Sequence, residues 1–126
     1  MNRVKIAAAI LIFSIILGLC SLFYITETCE ILIEHLNKTI NFTLTENADS
    51  AKNELILIVE KYEKCKPIFN VFLGQGETLE IRNDLNKAIF FINTADKSSA
   101  ILHLEECKTD LNRIIIYNTP SISTIL

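Results

Sequence analysis

Twenty consecutive residues without a charge, Ile6 to Ile25, constrain this chain more than any other feature. In a helix rising about 1.5 Å per residue they reach about 30 Å, the thickness of a bilayer's hydrocarbon core. A cleaved signal has a shorter apolar region, about 7–15 residues, followed by small residues before the cut. Gly18 and Cys20 are small, but they lie inside the run, and Leu19 is too large to precede a lipidated cysteine at Cys20. The run therefore predicts a retained signal anchor over residues 6–25.

Charge placement orients it. Arg3 and Lys5 are the only charged side chains before the run, and basic residues hold their flank in the cytoplasm. Residues 1–5 are thus expected in the cytoplasm and residues 26–126 outside, in the cell membrane of a single-pass protein. All 15 acids lie from Glu27 onward with ten of the 12 bases, so this part is five charges negative. Such a balance offers no basic stripe to displace counterions from phosphates, and no nucleic-acid partner is expected.

The apolar pattern does not stop at the end of the run. Leu22, Ile25, Cys29, Leu32, Leu36 and Ile40 recur at spacings of three and four, which predicts one helix emerging from the membrane and continuing for several turns. Thr43-Leu44-Thr45-Glu46 fits a capping box that would start a second helix, with the stripe Leu55, Ile58, Val59, Tyr62, Cys65 and Phe69 and a break or kink at Pro67. Leu73-Gly74-Gln75-Gly76-Glu77 reads as a loop, and Thr78 as the cap of a third helix carrying Ile81, Leu85, Ala88, Ile89 and Ile92. Asp96 caps a fourth with Ile101, Leu104, Cys107, Leu111, Ile114 and Ile115, stopped at Thr119-Pro120, and the apolar tail after it is expected to pack back. The fold class is all-α: an N-terminal transmembrane helix continuing into an up-and-down antiparallel bundle of about four helices.

Chemistry is scarce. Cys29, Cys65 and Cys107 fall on apolar stripes and read as small buried side chains. An oxidising compartment would also allow a disulfide; in a hairpin turning near Thr45 the pair at matching levels is Cys29 and Cys65. His103 and Cys107 stand one turn apart, but two ligands on one helix do not make a metal site, and none is expected. His35 reads as a solvated side chain, and Glu105 and Glu106 as a solubilising face. Gly74-Gln75-Gly76 lacks the Lys-Ser/Thr of a phosphate loop. Asn37-Lys38-Thr39 and Asn41-Phe42-Thr43 match the glycosylation triplet, which is short enough to arise by accident in a chain of bacterial look. With no nucleophile–base pair and no cofactor motif, no catalytic residue and no cofactor are expected, and the chain reads as a non-enzyme.

The anchor at Ile6 to Ile25, the emergent helix, Leu111-x-x-Ile114 and the ending Ser121-Ile122-x-x-Ile125-Leu126 together resemble the short membrane-anchored proteins of domain of unknown function family 4363, found mainly in clostridia and their relatives. That resemblance implies a helical fold and a membrane location and adds no reaction. The expected role is a protein-interaction or accessory subunit of an envelope complex, with a protein partner or a second copy of the chain. The alternative is an extracytoplasmic module that senses or binds a ligand between its helices.

Overall fold

A computed structural model describes the backbone of residues 2–125 and the side chains of residues 2–116. It contains four helices: α1 (Asn2–Leu44), α2 (Ala48–Leu73), α3 (Gln75–Asn93) and α4 (Lys97–Ile125). Among the described residues there is no strand. Each helix packs beside the next, and α4 closes the ring against α1, the layout of an up-and-down bundle. Side-chain bonds fix the register. His35 on α1 meets Glu54 on α2, while Asn37 on α1 meets Lys108 on α4 and Glu46, in the turn after α1, meets Lys97 at the start of α4.

α1 runs unbroken for 43 residues, about 64 Å at the usual rise. It serves two environments. Every described residue up to Leu17 is exposed, and by length and composition the helix holds an apolar window long enough to cross a membrane. Burial begins beyond it, and Ile25, Cys29, Leu32, Leu36 and Ile40 form one wall of the core. The other walls are Leu55, Ile58, Tyr62, Cys65 and Phe69 from α2, Ile81, Leu85, Ala88 and Ile92 from α3, and Ala100, Leu104, Cys107, Leu111 and Ile114 from α4. These are most of the stripes the three-four spacing predicts, with Ala51 and Ala100 added where the helices start; Leu22, Val59, Ile89, Ile101 and Ile115 are only half-buried at the stripe edges.

The helix ends differ from the expected caps. Thr43 is buried inside α1, where its hydroxyl donates to the Thr39 carbonyl; Thr39 in turn donates to His35 O. Asn47 caps α2 instead, accepting from the Ser50 N–H at 3.4 Å. Thr78 lies a turn inside α3, buried, its hydroxyl bonded to Asn70 Oδ1 and to the Gln75 carbonyl. Asp96 does cap α4, accepting from Ser99 N–H. Pro67 neither ends nor interrupts α2, because its ring sits on the exposed face in the last two turns. Pro120 likewise lies within α4, and the expected packing of the tail falls outside the described side chains.

The two turns α1–α2 and α3–α4 are the same object built twice. In each, one residue is left-handed, Glu46 at φ 62° and Ala95 at φ 60°. Its N–H bonds three residues back, and the following N–H bonds five back: Asn47 to Phe42 O, Asp96 to Phe91 O. That is the Schellman closure with a non-glycine in the left-handed place, followed at once by the cap of the next helix.

Tyr62 ties the other end together. Its ring is buried edge-on to Phe69, and its hydroxyl donates across to the Thr78 carbonyl. Tyr62→Phe keeps the packing and removes that bond. The variant is expected to unfold about 1 kcal/mol more easily, the usual net worth of such a bond, as measured by urea denaturation of the detergent-solubilised chain.

Candidate functional site

The core itself holds no reactive constellation. Cys29, Cys65 and Cys107 come from three different helices, are buried, and carry free thiols. The expected pair, Cys29 and Cys65, is thus brought onto adjoining walls of one core. Burial, aided by the nearby Cys65 sulfur and Glu30, pushes the Cys29 thiol up to about 12. Burial also raises Cys65, to about 11, and its Sγ donates to the Tyr62 carbonyl. Cys107 is raised as well, by burial and by Asp84 and Asp110. A nucleophilic or metal-binding cysteine needs the opposite shift.

Polar chemistry gathers instead on the outer seam of α3 and α4. A cleft of about 460 Å³ there is bordered by Glu80, Asp84 and Lys87 from α3 and by Glu105, Glu106, Asp110 and Arg113 from α4, among others. At its edge stands His103, with side-chain exposure of only 16%. Its ring lies flat on Phe91, 2° from parallel with centroids 5.3 Å apart. Stacking fixes the ring plane and aims Nδ1 at two carboxylates, Glu106 Oε2 at 3.4 Å and Asp84 Oδ1 at 3.8 Å. Nδ1 is buried yet makes no hydrogen bond. Buried polar atoms are seldom left so.

The acids are crowded. Asp84 is pushed up to about 7, first by burial and then by the adjoining Asp110 and Glu106 carboxylates. Asp110, itself buried, has Arg113 Nη1 3.6 Å away. Glu105 lies 3.3 Å from Lys108, and both Glu105 and Glu106 are exposed as a surface face requires, Glu106 in addition facing His103. His35 also departs from the solvated reading: it is half-buried, with Nδ1 2.9 Å from Glu54 Oε2.

One ligand atom each from Asp84, His103 and Glu106 lie within 4.8 Å of one another. Ligands bound at about 2.0–2.2 Å to a common cation sit little more than 3 Å apart, so a modest closure would let the three share a divalent ion. One imidazole with two carboxylates suits zinc, manganese or iron(II) better than copper(I). Cys107, expected as the companion of His103 if metal bound at all, is in the core and takes no part. His103-x-x-Glu106 was visible as a one-turn spacing on α4. Asp84 carried no such signal, because it arrives from another helix.

These features define an all-α protein: a four-helix bundle continuous with an apolar N-terminal helix, bearing one acidic, histidine-edged seam. The family model described as Domain of unknown function (DUF4363) matches residues 19–125, and the chain belongs to that family. No curated protein and no solved structure matches it.

Asp84 makes the seam sensitive to pH. A carboxyl that ionises near 7 when folded and at 3.8 when free holds its proton longer in the native state. Native protein then binds more protons than unfolded protein between those values, so stability falls as pH rises through that interval and levels off above it. Asp84→Asn removes this contribution. Melting temperatures of the solubilised chain at pH 5 and pH 8 are expected to differ less for the variant than for the wild type, with the variant the more stable at pH 8.

Proposed function

We propose that this chain is a single-pass membrane protein, N-terminus in the cytoplasm and bundle outside, that works by contact and not by catalysis, as an accessory subunit of a larger envelope assembly. The observation that carries this reading is the continuity of α1. One helix is both the exposed apolar segment and a wall of the bundle core, with no linker between them. A bundle so joined cannot swivel freely on its anchor, which suits a part that holds a fixed height and orientation beside a partner. The orientation rests on Arg3 and Lys5, and the absence of a thiolate or a nucleophile–base pair supports the non-catalytic part.

Two measurements test it. An impermeant maleimide applied to intact cells is expected to label Cys29, Cys65 and Cys107 only after mild unfolding, and without breaking the cells. Labelling that required broken cells would overturn the topology. In-cell crosslinking at native expression is expected to yield a heteromeric or homomeric product; recovery of monomer alone would remove the contact reading.

A second reading, a ligand-responsive module, is favoured by the unpartnered His103 Nδ1 between Asp84 and Glu106. After chelation, added manganese or zinc at 100 times its dissociation constant is expected to stabilise the bundle by about 2.7 kcal/mol. His103→Ala abolishes that gain. No shift with either ion would count against a cation as the ligand.

A further inference from the structure

The length of α1 that stands free of the bundle is too short to cross a bilayer. Burial of α1 begins at Gly18, and Ser21 and Leu22 are half-covered, with Ile25 wholly so. All four lie inside the uncharged run. From Ile6 to Leu17 the free apolar stretch is twelve residues, about 18 Å against the roughly 30 Å of a hydrocarbon core. The rest of the crossing therefore falls where other helices already lie against α1.

Register identifies them. His35 pairs with Glu54 across the antiparallel α1–α2 seam, so Phe72, eighteen residues on, stands roughly level with position 17 on α1. The α2–α3 turn is thus raised to the depth of the lipid-facing run. Its composition matches that depth. Pro67 through Gly76 is ten residues without a charge, and Lys64 and Lys66 stand immediately below, where basic side chains flank an interface. Val71, Phe72 and Leu79 are exposed by 77%, 46% and 53% within nine residues around this turn, whereas the other exposed apolar side chains of the bundle, such as Leu44, Phe90 and Leu102, lie among charged neighbours. Several polar groups of the turn are paired internally: Gly74 N–H to Asn70 O, Thr78 Oγ1 to Asn70 Oδ1, Tyr62 hydroxyl to Thr78 O, while the first N–H groups of α3, which has no side-chain cap, are left to headgroup oxygens. Such internal pairing is what backbone entering an apolar medium requires. Glu77 and Glu80, on the α3 side of the turn, are its nearest charges and limit its depth to the upper acyl chains, from which a carboxylate still reaches the headgroups.

Resting on the membrane reading above, we propose that the tip of the α2–α3 hairpin is a second membrane contact, with Val71, Phe72 and Leu79 inserted among the upper acyl chains beside α1. The bundle is then seated in the surface and does not stand off it.

The chain has no tryptophan, so single substitutions give unambiguous probes. Phe72→Trp, Val71→Trp, Leu11→Trp and Phe90→Trp are made in the full chain and reconstituted into vesicles whose phospholipid carries bromine high on the acyl chain. Apolar faces at an interface sit about 5–10 Å deep, so Phe72→Trp and Val71→Trp are expected to lose about half their emission, with blue-shifted maxima. Leu11→Trp, within the anchor, is quenched also; Phe90→Trp, at the far end of α3, is not. Quenching at Leu11 without quenching at either tip position overturns the tip contact and leaves the anchor intact. Blue but unquenched tip emission shows a protein cover and overturns it too. Quenching at Phe90 as well means that the bundle lies flat on the lipid, which also overturns it. No quenching at Leu11 overturns the anchor itself. Helix content by circular dichroism shows whether each variant is folded, and the two tip positions guard against the loss of one.

Discussion

A single helix that must satisfy two solvents governs this molecule. From Ile6 to Leu17 α1 turns apolar side chains outward, with the one hydroxyl, Ser14, bonded to the Ile10 carbonyl, while its backbone bonds close within the helix. Further on it is amphipathic, with Ile25, Cys29, Leu32 and Leu36 inward and Glu27, Glu30 and Lys38 on other faces. No glycine–proline break separates the two regimes. The remaining helices are arranged around the inward stripe, and their own stripes have meaning only as its complement.

Three short turns do the arranging. Two of them close by the same pair of backbone bonds around a left-handed residue, and the third, at the membrane end, is the single residue Gly74 at φ 86°. A connection that short forces α2 and α3 to lie side by side, which brings Tyr62 to the Thr78 carbonyl. The same antiparallel order carries His103 on α4 up to Asp84 on α3. The polar seam is in this sense a by-product of how tightly the hairpins are drawn.

Much of this was legible in the residues. Periodicity alone gives four stripes, their inward residues and the continuity of α1, because burial and the three-four spacing are the same fact seen twice. The caps were less legible. A threonine at a helix start and a buried threonine that donates to the carbonyl four residues back look alike in sequence, and Thr43 proved to be the second kind while Asn47 does the capping. Thr78 misled for the same reason. Pro67 looked disruptive because sequence does not say which face its ring occupies. The seam was least legible: Glu106 and His103 are one turn apart, but Asp84 joins them only through the register of two helices, and no local pattern encodes that.

The closed ring of antiparallel neighbours also fixes how the bundle bears force. α4 runs back along α1, so its C-terminal end returns to the side on which α1 leaves the bundle. A pull applied between the anchor and the end of α4 therefore acts across the α1–α4 seam at one end. It would peel the pair apart contact by contact, beginning near Ile114 and ending at the Glu46–Lys97 bridge, and would not load every contact at once as shear does. This is a mechanically soft attachment: tension transmitted along α4 is relieved by progressive opening from the Ile114 end toward the Glu46–Lys97 bridge, while compression along the bundle axis finds four helices standing side by side.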